Sequence, residues 1–185
     1  MKLKFFKFIF IVYKGRDKKT GEFVAIKRLE FNSNEQYSEI EKILNSCKYS
    51  IHFIKSYKDK NVYYIVMELC DKSLDKLIKE KNKLELKTIK VIIKQLNIIL
   101  KKMREINMIH RDIKPLNILL KKENNKLTIR LTDYGLSKIM SASNKASTIA
   151  GTSFYIAPEI RLEEFNDLKF PDKSKVDLWS IGIMM

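Results

Sequence analysis

The sequence predicts an α+β fold in which a β-rich first part gives way to a helical second part. Three observations predict it. Up to residue 69 the apolar residues come in short runs broken by polar turns, the spacing of strands. From residue 73 the period lengthens to that of helices, most clearly between Leu86 and Ile106. The chain of 185 residues is 45% hydrophobic and carries no internal repeat, which suits a single domain with a sizeable core.

Residues 1 to 69 contain two predicted hairpins and one helix. Met1 to Tyr13 holds the apolar run Phe5 to Val12, interrupted by Lys7. The charge inside the run and the lack of a small-residue cleavage site argue against a signal peptide. The run is too short to span a bilayer, and a buried strand ending near Tyr13 is the expectation. The turn Asp17-Lys18-Lys19-Thr20-Gly21 then leads into a strand from Phe23 to Leu29. Glu35 to Leu44 reads as a helix opened by Asn32-Ser33-Asn34. A second hairpin pairs Phe53 to Tyr57 with Val62 to Leu69 across Lys58-Asp59-Lys60-Asn61.

Residues 70 to 185 change character. Ser73 is the predicted N-cap of a short helix reaching Glu80. Leu86 to Ile106 places apolar residues at 89, 92, 93, 96, 99, 100, 103 and 106, the stripe of a long helix on a core. A small hairpin follows, Ile118 to Leu120 and Leu127 to Leu131, turning at Asn124-Asn125. A Ser-rich loop is expected from Ser137 to Thr148. A cleft is expected where the two parts join, near Glu68-Leu69-Cys70.

The net charge of +15 invites a nucleic-acid or membrane reading. The lysines are spread along the whole chain without one block interleaved with aromatics, so a solvated, Lys-rich surface is expected, with no specific nucleic-acid partner and no membrane span. A basic nucleic-acid-binding module rests on charge alone and predicts strongly salt-dependent binding. Cys47 and Cys70 lack metal-ligand spacing, which suits a reducing compartment and a cytoplasmic location. Neither His52 nor His110 stands near another zinc ligand in sequence.

The chemistry is concentrated in His110-Arg111-Asp112-Ile113-Lys114-Pro115-Leu116-Asn117 and in Thr132-Asp133-Tyr134-Gly135. Asp112 can accept a proton from a hydroxyl. Asn117 and Asp133 offer the hard oxygen ligands that Mg²⁺ prefers. Lys114 can neutralise charge on a phosphoryl group in transfer. Phosphoryl transfer asks a protein mainly for positioning and charge stabilisation, and these residues supply both. A polar loop with scattered Asp and Asn is the plain alternative, but it does not account for His, Arg, Asp, Lys and Asn together. A second anchor is Val24-Ala25-Ile26-Lys27, where a strand lysine can reach nucleotide phosphates if a helix carboxylate holds it. Glu35, Glu39 and Glu41 compete for that role. Glu39 is preferred because Ile43, one turn on, lets its helix pack inward.

These segments, in this order, resemble the signature set of the eukaryotic protein kinases, Ser/Thr type. Gly151-Thr152, Ala157-Pro158-Glu159 and Asp177-Leu178-Trp179-Ser180-Ile181-Gly182 extend the resemblance over roughly residues 10 to 185. It implies a protein-kinase-like bilobal α+β fold, with residues 1–69 as the β-rich lobe and 70–185 as the helical lobe. It implies ATP and Mg²⁺ as cofactors and the transfer of a phosphoryl group to Ser/Thr hydroxyls of protein substrates. Asp112 would orient the hydroxyl as base, Lys114 would steady the phosphoryl, and Asn117 and Asp133 would hold Mg²⁺. Lys27, paired to Glu39, would place the ATP phosphates, and Thr152 would contact Asp112 and Lys114. Val12, Ala25 and Leu119 would sandwich the adenine, with Met67 behind it and the backbone of Glu68 and Cys70 along its edge. Plain core packing is the alternative for those apolar residues. Arg111 suggests control by a loop phosphate, since arginine clamps phosphate bidentately. Ser147 and Thr148 are the first candidate acceptors, for an upstream kinase or for autophosphorylation, followed by Ser141 and Ser143. At subfamily level, Met67-Glu68-Leu69-Cys70 and the twelve residues from Lys27 to Glu39 are faintly similar to the kinase domain of the endoplasmic-reticulum unfolded-protein sensor.

The sequence departs from the family pattern in three places. Aligned on Val12, the three glycines of the phosphate-covering loop are replaced by Phe5, Lys7 and Phe10, whose side chains keep a backbone from approaching phosphate closely. Asp133-Tyr134-Gly135 carries tyrosine where phenylalanine is usual. The chain stops at Met185, within an expected buried helix and before the arginine that would pair Glu159, so a partial kinase domain is expected. The alternative function is a catalytically impaired pseudokinase or fragment that binds nucleotide or a partner.

Overall fold

The computed structural model describes residues 10–30, 45–60, 62–134, 138–139, 154–158 and 175–184. The predicted helix over 35–44, with Glu39, lies outside them, as do Thr152 and the candidate phosphate acceptors of the Ser-rich loop. The chain divides into two compact units, one of residues 1–45 and 51–69, the other of residues 46–50 and 70–185.

The first unit is built on an antiparallel sheet of β1 (Phe10–Arg16), β2 (Phe23–Glu30), β3 (Phe53–Asp59) and β4 (Val62–Glu68), in the order β1-β2-β4-β3. The β1–β2 turn forms because Asp17 satisfies its own loop. Its Oδ1 accepts the N–H groups of Lys19 at 2.8 Å and Thr20 at 3.0 Å, and Gly21 supplies the left-handed φ of +74°. The Thr20 and Lys19 amides hold the Asp17 carboxyl below the usual carboxylate range. β1 runs three residues beyond the predicted end at Tyr13, since Lys14, Gly15 and Arg16 keep pairing with Ala25, Val24 and Phe23. The expectation of a buried strand needs correction over Ile11 to Tyr13. All three are about half exposed, and β1 is an edge strand. Asn45 closes the residues before β3 by a two-way clamp, its Nδ2 donating to the Phe53 carbonyl and its Oδ1 accepting the Phe53 N–H.

The second unit begins with β5 (Lys72–Ser73) and α1 (Leu74–Lys81). Ser73 caps α1 as predicted, its Oγ accepting the Lys76 N–H at 3.2 Å. Replacing Ser73 by alanine should therefore lower stability by about 1 kcal/mol in urea denaturation. Asn82 ends α1 with a positive φ of 56°.

The long helix α2 (Leu86–Glu105) buries Ile92, Leu96, Ile99 and Met103, the centre of the predicted stripe. Ile93, on its flank, is exposed. Then come β6 (Met108–Ile109), a 3₁₀ turn (Pro115–Asn117), β7 (Ile118–Glu123), β8 (Lys126–Leu131), β9 (Lys138–Ile139) and α3 (Lys175–Met184). β5, β7 and β8 form one sheet, and β6 pairs with β9. The strand β9 corrects the expectation of a loop running uninterrupted from Ser137. Asn124 and Asn125 both take positive φ, 48° and 60°, which suits a two-residue hairpin turn between right-twisted strands. Gln95 fastens α2 to β8, its Nε2 donating to the Leu127 carbonyl and its Oε1 accepting the Ile129 N–H. Residues 46–50 join this unit through Tyr49, whose carbonyl accepts the Leu131 N–H, and through a parallel bridge from Ser50 to Leu131.

Candidate functional site

In the second unit the polar centre is held by a short loop between β6 and β7. Asp112 is buried at 6% exposure, and its Oδ2 accepts from both Lys114 Nζ at 2.7 Å and Asn117 Nδ2 at 2.9 Å. Asn117 Nδ2 also donates to the Asp112 carbonyl at 2.8 Å. The nitrogen end of the Asn117 amide is thereby committed to Asp112, which fixes the orientation of the group. Its backbone is tied on both sides: the N–H donates to the Lys114 carbonyl and the carbonyl accepts the Thr132 N–H. Pro115 pre-sets the 3₁₀ turn that carries Asn117 back toward Asp112.

The loop in turn hangs on two side chains. His110, fully buried, accepts the Asp112 N–H at Nδ1, so its proton sits on Nε2, which donates to the Thr132 carbonyl at 3.1 Å. Asp177, on α3, accepts the His110 N–H at Oδ2 and the Arg111 N–H at Oδ1, each at 2.9 Å. Burial pushes the Asp177 carboxyl above the ordinary range, against the opposing pull of His110, the two amides and Arg111. Burial also lowers the Arg111 guanidinium from its ordinary value, with Asp177 opposing. Arg111 and Asp133 both carry left-handed φ, 65° and 67°, a conformation uncommon for non-glycine residues and more easily held by Asp than by Arg.

Cys70, just before β5, and Leu119, on β7, are half-buried; Leu119 lies opposite Ser73 and Arg130. In the first unit the strand register gathers the other predicted residues. Val12 lies opposite Lys27, and Ala25 opposite Met67. Residues paired or two apart share a face of a sheet, so Val12, Ala25, Lys27 and Met67 line one face. Ala25, Lys27 and Met67 are buried, and Val12 is half exposed. Glu68 ends β4 with its N–H donated to the His52 carbonyl at 2.9 Å.

Asp177 was legible only as part of a helix, and its grip on two backbone amides was not. The available signal was an acid inside an otherwise apolar helical segment. Ser50, which lies 2.9 Å from the Tyr134 hydroxyl, had no such signal.

A family model described as a protein kinase domain matches residues 10–185. The chain is 31% identical to the probable serine/threonine-protein kinase zyg-1 of Caenorhabditis elegans, over 95% of its own length and 24% of that protein's. It is 32% identical to serine/threonine-protein kinase KIC1 of Saccharomyces cerevisiae, over 94% of its length and 16% of that protein's. Calcium-dependent protein kinase 5 of Plasmodium berghei is also 32% identical, over 94% of the chain and 31% of that protein. The chain thus spans less than a third of the length of these relatives.

Proposed function

The chain belongs to the protein kinase family, and from that premise we propose that it is a protein serine/threonine kinase which transfers the γ-phosphoryl of ATP to Ser/Thr hydroxyls of protein substrates. The observation that carries the proposal is the buried Asp112 carboxylate, with Lys114 Nζ and Asn117 Nδ2 both on its Oδ2. A carboxylate so held is oriented to receive a hydroxyl proton, and the ammonium beside it steadies the moving phosphoryl.

Asn117 and Asp133 fit Mg²⁺ by the chemistry of their donors. With its nitrogen turned to Asp112, Asn117 has a hard oxygen as its other amide atom, and Asp133 adds a carboxylate. When bound, Mg²⁺ supplies charge neutralisation on the phosphates. On the sheet of the first unit, Lys27 contacts the ATP phosphates with Glu39 as its partner, and Val12, Ala25 and Met67 on the same face serve the adenine. Leu119 and the backbone of Cys70 are further proposed adenine contacts. Because the Glu68 N–H is engaged by His52, the adenine contact at Glu68 falls to its carbonyl. By the resemblance to the family, Thr152 would contact Asp112 and Lys114, and Ser147 or Thr148 would receive an activating phosphate. Among the described residues no helix is long and apolar enough to cross a membrane, and a cytoplasmic location is part of the proposal.

A second reading, a pseudokinase that binds nucleotide or a partner, is favoured by Phe10. It stands at the third glycine position of the family's phosphate loop and is paired in β1 with Leu29. Mg·ATP binding to the purified chain, followed by phosphate transfer to a generic Ser/Thr substrate, separates the two. The expected result is Mg-dependent binding that Asp133→Ala abolishes, together with transfer. Binding without transfer would support the second reading, and a folded chain that binds no nucleotide would overturn the first reading and the nucleotide-binding form of the second.

A further inference from the structure

Tyr134 is 1% exposed, and its ring packs on His110 with centroids 5.2 Å apart and planes tilted by 57°. A phenylalanine ring could be buried and packed in the same way. The hydroxyl does more. It donates to the Leu131 carbonyl at 2.9 Å and lies 2.9 Å from Ser50 Oγ. A phenol has one proton, so Ser50 is the donor in that second bond. Ser50 is 3% exposed and its backbone is fixed: its N–H donates to the Cys47 carbonyl, and it forms an isolated parallel bridge with Leu131.

His110 completes the arrangement from the other side, since its Nε2–H holds the Thr132 carbonyl. Both carbonyls immediately before Asp133 are therefore gripped by side chains that pack on each other. Asp133 itself has the left-handed φ of 67°, a conformation uncommon outside glycine although Asp tolerates it better than most residues. We propose that the Tyr134 hydroxyl and Ser50 form a polar latch that positions Asp133 to ligate a divalent cation. Tyr134 and Ser50 are positioning residues in this scheme. The cation role rests on the kinase reading, whereas the latch itself rests on geometry alone.

The test uses Tyr134→Phe, Ser50→Ala and the double variant of the whole chain. Hydrogen exchange of the 132–134 amides is measured without ligand, and the Mg²⁺ concentration for half-maximal ATP binding is measured separately. Tyr134→Phe should speed exchange there and raise the Mg²⁺ midpoint, each about fivefold, the factor that one buried hydrogen bond of ordinary strength sets. Exchange on the α2 amides should not change. Ser50→Ala should give a smaller shift in the same direction. The double variant should match Tyr134→Phe, because residues that share one interaction are not additive.

Wild-type exchange and an unmoved Mg²⁺ midpoint in folded Tyr134→Phe would overturn the latch, as would simple addition in the double variant. Should Tyr134→Phe fail to fold, Ser50→Ala decides alone, because it keeps the ring and its Leu131 bond. If no variant, nor the wild type, binds nucleotide, the kinase reading fails, and the ligand-free exchange still decides whether the latch exists.

Discussion

Asp112→Asn is expected to lower kcat by a factor of about 10² to 10⁴ while leaving Mg·ATP affinity within a few-fold of wild type. The range is the usual contribution of a positioned general base. The structure explains why the isosteric change is so damaging. Oδ2 of Asp112 accepts from Lys114 at 2.7 Å and from Asn117 at 2.9 Å. An asparagine with its oxygen at the Oδ2 position still accepts from both donors, but it carries no negative charge and sets an N–H₂ group where Oδ1 stood. The change therefore removes the proton acceptor and the charge beside Lys114 while leaving the local hydrogen bonds in place. Asn117 keeps its second bond, to the Asp112 backbone carbonyl at 2.8 Å, so the amide stays oriented. The separation of kcat from nucleotide affinity is the diagnostic outcome. A loss of ATP binding in a folded Asp112→Asn chain would place Asp112 among the nucleotide contacts instead. Steady-state kinetics together with calorimetric titration of ATP make the distinction.

What the sequence revealed follows from how far apart the interacting residues lie. Asp112, Lys114 and Asn117 fall within six positions, so their chemistry is visible in the sequence as one motif. The hairpins were visible because their turns carry residues that tolerate positive φ, as at Gly21, Asn124 and Asn125. The helix α1 announced itself through Ser73, and α2 through a stripe sustained over five turns. The strands β5, β6 and β9 were not visible, because two residues establish no period. Their pairing depends on partners elsewhere in the chain. The edge position of β1 was equally hidden, since an apolar run looks the same whether both or only one of its sides is paired. At the site, the missed interactions are long-range ones. Asp177 reaches residues 66 and 67 positions earlier, and Ser50 meets Tyr134 across 84. By sequence, tyrosine at 134 differs from the usual phenylalanine by one hydroxyl, and only that hydroxyl's partners show that it adds bonds.

Asp177→Ala should destabilise the chain by about 2–5 kcal/mol, the range for backbone donors left unpaired in the interior together with the loss of charge-assisted bonds. Two buried N–H groups, those of His110 and Arg111, would each lose a 2.9 Å partner. Some of that loss is offset, because the substitution also removes a fully buried carboxylate whose desolvation is unfavourable. Asp177→Asn is the more informative change. It keeps the volume but supplies a single acceptor oxygen and turns an N–H₂ group against the other amide, so it should recover little. The pH dependence has a definite sign. Burial raises the Asp177 pKa above the unfolded value of 3.8, so the folded chain holds this proton more tightly than the unfolded one. Its contribution to stability is greatest below that pH and falls as pH rises through the folded pKa. The stability gap between wild type and Asp177→Asn should therefore narrow with rising pH across that window and stay level above it. Urea denaturation of both proteins at several pH values measures the gap. A gap that widened with pH would mean that the two amides outweigh desolvation and hold the carboxyl below its ordinary range.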